Sequence, residues 1–296
     1  MSQGLAHFNM TTISTAEWQG RHGAKDRLRQ EIWAALQAHQ AVKRDPVGHI
    51  PNFVEAATAA TQLAALDVWQ QARVVKCNPD APQKPVRLQA LAAGKLLYMA
   101  VPRLAKQQCF VALERETLEQ KGIPLATAAN RREALIHGQL VAFDEMQPID
   151  LVVVGCVAVS PSGGRTGKGA GFADLELAML REGGLVQSAT PIATTVHPLQ
   201  VVASDRLPMQ PHDWPLDWIV TPEGAIATQT PYPRPSGLDW DALQPDQLHQ
   251  IPVLKRLAQR QAEPSTESPG QFSVTVAKRF GNWLGHDHSA PRSELW

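Results

Sequence analysis

The stretch that most constrains the fold is LVVVGCVAV, residues 151–159, which runs straight into the glycine-rich SPSGGRTGKGAG. An almost unbroken apolar run marks a strand buried on both faces, since a half-exposed strand would alternate. The run is far too short to cross a membrane, which takes about 20 apolar residues. A helix over residues 172–181 follows the loop. Shorter units of the same kind occur earlier and later. Residues 73–77 (RVVKC) read as a strand turned by Asn78-Pro79-Asp80, and a helix over 86–93 stops at Gly94. Residues 96–101, 192–196 and 218–221 read as further strands. Helices are expected over 23–39, with Leu28, Ile32, Trp33, Ala35 and Leu36 on one face, over the alanine-rich 53–72, and over 130–136. Strands alternating with helices predict an α/β fold: a three-layer α/β/α sandwich around a mainly parallel sheet.

Composition narrows the function classes. The chain carries 28 basic and 28 acidic side chains, a net charge of zero, which argues against a general nucleic-acid binder. Its three cysteines, Cys77, Cys109 and Cys156, are odd in number and lack metal-type spacing. They read as reduced thiols of a cytoplasmic protein. No basic flank followed by an apolar run marks a secretory signal at the start. Residues 1–21 read as a loose leader and 22–236 as the core domain. Residues 237–296, rich in Pro, Gln, Ser and Glu, read as a weakly ordered tail that could dock a protein partner. Within it, 248–262 fits a helix with Pro252 in its first turn, 263–270 a linker, and 272–284 a small amphipathic segment. His286-Asp287-His288 offers two histidines without further ligands, too little for a metal site.

The loop carries the chemistry. Between a buried strand and a helix, the glycines of Gly164-Arg165-Thr166-Gly167-Lys168-Gly169-Ala170-Gly171 let a ligand approach the backbone. A helix start adds unpaired N–H groups, and Arg165 and Lys168 add two positive charges. Together these describe a phosphate site, with an ordinary turn as the plain alternative. The loop is not a Walker motif, because Gly169 rather than a hydroxyl residue follows Lys168, and it is not the dinucleotide Gly-x-Gly-x-x-Gly. Lys25, Arg27 and Arg29 crowd the first turns of a helix, where the dipole disfavours cations, which suggests another task for them.

The run Gly-x-Arg-x-Gly-x-Gly-x-Gly-aromatic-x-Asp, from Gly163 to Asp174, resembles the signature loop of 5-formyltetrahydrofolate cyclo-ligases. Three further segments agree in order: Lys25-x-x-Leu28-Arg29; Gly94-Lys95 with Tyr98 and Pro102; and His212-Asp213 ahead of Leu216-Asp217-x-Ile219-Val220-Thr221. IPNFVEAATAA (50–60), NPDAPQKPVR (78–87) and IVTPEGAIA (219–227) look like the methenyltetrahydrofolate synthetase domain-containing branch. The resemblance implies a fold of the NagB/RpiA/CoA-transferase type and use of ATP and Mg²⁺. It implies phosphorylation of the formyl oxygen of 5-formyltetrahydrofolate, ring closure by the neighbouring nitrogen, and release of phosphate to give 5,10-methenyltetrahydrofolate. On that likeness Lys25 and Arg29 hold ATP phosphates, and Arg165, Gly167, Lys168, Gly169 and Gly171 form the cradle, with Arg165 and Lys168 neutralising the transferred charge. Asp174 and Asp213 sit near Mg²⁺, and Val75, Asp80 and Phe172 contact the folate. RNA binding, found in animal members beyond this domain, is not carried over, because the tail shows no aromatic RNP-type strands.

The pattern is not complete. Phe172-Ala173 stands where the family has two tyrosines, Lys168 where an arginine is frequent, and Ala170 where a lysine can occur. Asp174 also suits a helix cap, and Asp80 and Asp213 suit turns. The alternative reading is a divergent member that binds a nucleotide or another phosphorylated, vitamin-derived ligand without cyclo-ligase turnover.

Overall fold

A computed structural model describes residues 22–262, apart from 102–103, 105–106, 242, 244–246 and 248–250. The expectations for residues 1–21, the 263–270 linker, the 272–284 segment and His286-Asp287-His288 lie outside the described residues. In chain order the elements are α1 (Gly23–Ala38), α2 (Ala56–Ala64), α3 (Asp67–Gln71), β1 (Val74–Cys77), α4 (Lys84–Ala92), β2 (Leu96–Ala100) and β3 (Phe110–Leu113). There follow α5 (Arg115–Gln120), α6 (Leu125–Ala128), α7 (Arg131–His137), β4 (Gln139–Val141), β5 (Leu151–Val154), β6 (Ala158–Val159) and β7 (Arg165–Thr166). Then come α8 (Phe172–Glu182), β8 (Ile192–Thr195), β9 (Trp218–Thr221), β10 (Gly224–Ala227) and a helix over Pro252–Ala262.

The main sheet has eight strands in the order β10-β9-β8-β5-β1-β2-β3-β4. Its five central strands, β9, β8, β5, β1 and β2, are parallel, and antiparallel strands close both edges. Strand period puts alternate side chains into two different cores. Val74, Val152 and Val154 join Leu177, Met179 and Leu180 of α8 in one cluster. Val75, Cys77, Leu151 and Val153 join Leu63 of α2 and Val86, Ala90 and Leu91 of α4 in the other. The apolar run read from the sequence is thus covered on both faces by helices, and the fold is the expected α/β/α arrangement. The order β2-β1-β5 reverses direction between β1 and β5, and open α/β sheets bind ligands at the carboxyl ends of such strands.

Four details differ from the sequence reading. Residues 151–159 are not one strand. The sheet strand ends at Val154, and Ala158–Val159 pairs antiparallel with Arg165–Thr166 in a separate hairpin. Both halves are buried, so hydrophobicity alone does not reveal the break. The helix expected over 53–72 starts only at Ala56, because Glu55 is left-handed (φ 60°), and it divides at the extended Leu66. The sequence gives no sign of β3 or of the short edge strands β4 and β10. The helix beyond residue 248 begins at Pro252, where a missing N–H costs nothing. Leu238, Ile251, Val253 and Leu254 bury themselves in the α8 cluster, so residues beyond 236 contribute to the main core.

Helix α1 does not lie on the sheet. Its Leu28, Ile32, Trp33 and Leu36 pack with Ile50, Val157, Ala158, Val202 and Leu207 around the hairpin. That seat brings its first turns to the glycine loop.

Candidate functional site

The loop is built from its turn upward. Ser160 N–H donates to the Gly164 carbonyl at 2.9 Å, and Gly163 N–H to the Ser160 carbonyl at 2.8 Å. Gly163 has φ +87°, and a Cβ there would stand 2.6 Å from the Leu216 carbonyl oxygen, so only glycine fits. This turn fixes β7 with the Arg165 side chain inward, 2% exposed. The chain then passes Gly167 and Lys168 to Gly171 (φ +66°), which precedes α8 without any side-chain cap.

Every cation expected at the site has a carboxylate partner. Lys25 pairs with Asp213, Arg29 with Asp26, and Arg165 with Asp174, while Lys168 lies 3.5 Å from Asp80. Arg29 also donates to the Gly167 carbonyl at 2.7 Å and the Thr166 hydroxyl at 2.9 Å, tying α1 to the loop. Burial pulls the Arg29 guanidinium down against Asp26 and Asp213. Burial also opposes the charge on Arg165, but Asp174, Cys156 and Asp213 outweigh it and hold that guanidinium above its ordinary value. Arg165 Nε donates to the Trp214 carbonyl at 2.6 Å, and Asp174 accepts the Trp214 N–H at 3.0 Å. Asp213 accepts the Gln210 N–H at 2.6 Å. Of the four cations, Lys168 is the exposed one.

Beneath the loop lies a second polar group that sequence reasoning missed. Lys76, fully buried in β1, pairs with Glu176 of α8 and donates to Asn78 Oδ1 at 2.5 Å. Burial pushes the Glu176 carboxyl up, with Lys76 opposing. Arg87 of α4, 1% exposed, donates to the carbonyls of Asn78 (2.5 Å), Asp80 (3.1 Å) and Ala129 (2.9 Å), which fixes the turn after β1. The buried Gln83 completes the group. The available signal was a lysine inside a strand expected to be covered on both faces: such a charge requires a partner.

The sequence profile of the 5-formyltetrahydrofolate cyclo-ligase family matches residues 21–222. The chain belongs to that family. It is 38%, 36% and 35% identical to the methenyltetrahydrofolate synthase domain-containing proteins of Mus musculus, Bos taurus and Homo sapiens, over 242 residues or 81% of its length. The match spans 64%, 63% and 63% of those proteins, a little under two thirds of each. The NMR structure of 5,10-methenyltetrahydrofolate synthetase from Aquifex aeolicus aligns with a TM-score of 0.44 at 16% identity, over 71% of this chain and 95% of that one.

In this cyclo-ligase family member, the structure brings together Lys25, Arg29, Arg165, Gly167, Lys168, Gly169, Asp80, Asp174 and Asp213 around the loop. Val75 is instead fully buried in mid-strand among the α2 and α4 side chains. Phe172 is partly buried against the α8 cluster. Among the described residues no three His, Cys, Asp or Glu side chains are grouped to hold a metal. The donor set still suits Mg²⁺, which commonly takes one or two carboxylates plus phosphate oxygens and water. No helix among the described residues is long and apolar enough to cross a membrane.

The hairpin has its own buttress. Gln200, 1% exposed, accepts the His197 N–H at 2.9 Å and donates to the carbonyls of Cys156 (2.9 Å) and Val157 (3.1 Å). This ties the turn after β8 to the chain between β5 and β6. His197 Nδ1 accepts the Leu199 N–H at 3.2 Å, so the ring works here as a neutral acceptor. Burial pulls the His197 ring down, with Glu55 and Glu223 opposing and His39 assisting. With the folded value depressed, the unfolded chain takes up the proton first. Stability is therefore expected to fall as pH drops through about 6.5. Urea midpoints measured from pH 7.5 to 5 should show a shallower slope in His197→Asn, and an identical slope would remove His197 from the account.

Proposed function

We propose that this chain is an ATP- and Mg²⁺-dependent cyclo-ligase of one-carbon folate metabolism, forming 5,10-methenyltetrahydrofolate from 5-formyltetrahydrofolate. The observation that carries the reading is the convergence of Lys25 and Arg29 from α1 with Arg165 and Lys168 of the loop, beside Asp80, at the β1/β5 reversal. ATP supplies the phosphoryl group that activates the formyl oxygen. The chain's own contribution is positioning and charge neutralisation, as phosphoryl transfer generally requires. Lys25, Arg29 and Lys168 exchange carboxylate partners for phosphate oxygens; the loss of the Lys25 contact frees Asp213, which would hold the metal together with Asp174. Arg165, buried and fully engaged, keeps the loop and Asp174 in place.

Mixing the purified chain with 5-formyltetrahydrofolate, ATP and Mg²⁺ tests this directly. Growth of the near-ultraviolet methenyltetrahydrofolate band that requires ATP is the expected result, and a flat trace overturns turnover. Lys168→Ala is expected to weaken ATP binding about tenfold, the loss of one charge-assisted contact. Its melting temperature should barely move, because an exposed pair contributes about 0–1 kcal/mol. Unchanged ATP affinity in calorimetry would take Lys168 out of the cradle.

A second reading rests on Phe172-Ala173. The ring is partly buried in the core and alanine offers no hydroxyl, so the folate side differs from the family's tyrosine pair while the phosphate side keeps its glycines, Arg165 and Lys168. Calorimetric ATP binding with no band growth would favour a divergent member that binds a phosphorylated ligand without cyclising folate.

A further inference from the structure

We propose that the buried pair Lys76–Glu176 is a positioning element of the site: it fixes the start of α8, which carries Asp174, against the turn after β1, which carries Asp80, and so sets the distance and line between phosphoryl donor and acceptor. The inference rests on the cyclo-ligase reading and adds to it two residues that touch neither ligand.

Neither partner is available to a ligand, since their side chains are 0% and 5% exposed. What they reach is the frame of the site, from both sides. Lys76 stands near the carboxyl end of β1 and donates to Asn78 Oδ1 at 2.5 Å. Asn78 N–H donates to the Val153 carbonyl at 3.0 Å, which seats the turn on β5. Arg87 of α4 holds the carbonyls of Asn78 and Asp80. Glu176 lies two residues beyond Asp174, whose carboxylate is tied to Arg165 and to the Trp214 N–H. Positions two apart on a helix point roughly 200° apart around its axis. The Arg165 and Lys76 tethers therefore pull on opposite sides of α8, and together they fix its rotation. No side chain caps that helix, and Gly171 before it is left-handed at φ +66°, so local sequence does little to hold its start.

A buried ion pair is a poor source of net stability, since two apolar side chains of like volume serve as well or better. What it supplies instead is direction: an ammonium and a carboxylate must meet at hydrogen-bond length, while apolar surfaces can slide. In the proposed reaction the formyl oxygen forms a bond to the terminal phosphorus of ATP while the bond from that phosphorus to the departing ADP oxygen breaks. Such a transfer needs the three atoms in line, and a misplacement of about 1 Å can cost about 100-fold in rate. The family resemblance puts Asp80 on the folate side and Asp174 on the phosphate side, so the Lys76–Glu176 pair spans the two. Lys168, 3.5 Å from Asp80, also crosses that gap, but it is exposed and exchanges its partner for phosphate. The buried pair is the link that persists when both ligands bind.

The test compares four full-length proteins: the parent, Glu176→Gln, Lys76→Met, and the double variant Lys76→Met with Glu176→Leu. Each is followed by urea unfolding, by growth of the methenyltetrahydrofolate band, and by calorimetry with ATP and with 5-formyltetrahydrofolate. The double variant is expected to fold about as stably as the parent, to bind both ligands with nearly parental dissociation constants, and to lose about 100-fold in kcat. Glu176→Gln keeps an acceptor for Lys76 but leaves its charge uncompensated, so it should be the less stable of the two and yet the faster. That inversion separates positioning from stability, since a merely structural pair would make rate follow stability. Lys76→Met repeats the rate test if the double variant does not fold, because the buried Glu176 carboxyl, already pushed up, can stay neutral. Parental kcat in a folded variant lacking Lys76, a loss confined to the dissociation constants, or a kcat order that follows stability overturns the positioning role and leaves the cyclo-ligase reading standing. A flat trace in the unsubstituted protein overturns that reading and this inference together.

Discussion

Replacement of Arg165 by alanine is expected to lower the unfolding free energy by about 3–5 kcal/mol, the typical loss when one member of a buried ion pair is removed. The guanidinium is 2% exposed and joins three parts of the fold. It lies on β7, pairs with Asp174 in the first turn of α8, and donates to the Trp214 carbonyl ahead of β9. Alanine leaves that carbonyl without this donor and Asp174 with the Trp214 N–H as its one remaining partner among the described residues. A urea titration should show a clearly earlier midpoint, and a midpoint like that of the parent would show Arg165 to be a ligand group alone. Lysine is a poor substitute, because one ammonium cannot span both partners as the planar fork does. Lost nucleotide binding in an Arg165 variant therefore reports folding as much as contact. The exposed Lys168 gives the cleaner probe of the cradle.

Glu176→Ala is expected to be as damaging, again about 3–5 kcal/mol, for a different reason. Lys76 is 0% exposed in the middle of the parallel sheet. Without Glu176 its ammonium keeps only the neutral Asn78 oxygen as a described partner. The energetic argument is asymmetric, because desolvating two charges is itself costly. Replacing both partners by apolar residues, Lys76→Met with Glu176→Leu, is expected to return stability to within about 1 kcal/mol of the parent. Denaturant unfolding of the two single variants and the double one closes a thermodynamic cycle. A double variant as unstable as Glu176→Ala would show that the pair contributes more than mutual neutralisation.

Much of the frame was legible in local sequence. Strand β1, helix α4 and its stop before Gly94, and helices α1 and α8 fall within a few residues of expectation, because period and punctuation are local properties. The edge strands were not legible: Gln139–Val141 is short and carries no alternation to distinguish it from a loop. The break after Val154 was hidden because residues 155–159 are as buried as the sheet strand before them: Val157 and Ala158 lie under α1, while Cys156 and Val159 stay in the α8 cluster. Burial shapes composition, and composition does not say which element provides the cover.

The site divides along the same line. The sequence by itself determined the loop: its glycines, Arg165, Lys168 and the basic turn of α1 are read directly, and the match to the cyclo-ligase family follows from them. It also determined the α/β class, through strands that alternate with helices. Tertiary structure alone decided which cation is buried and which is exposed, since Arg165 and Lys168 lie three residues apart in one loop yet are 2% exposed and half-exposed, respectively. It alone joined Lys76 to Glu176 and so tied the start of α8 to the turn after β1. The physical reason is range. Helical period, turn chemistry and glycine freedom act over a few bonds and are recorded in neighbouring letters. Ion pairing and desolvation act through space, between residues that only the folded sheet brings together.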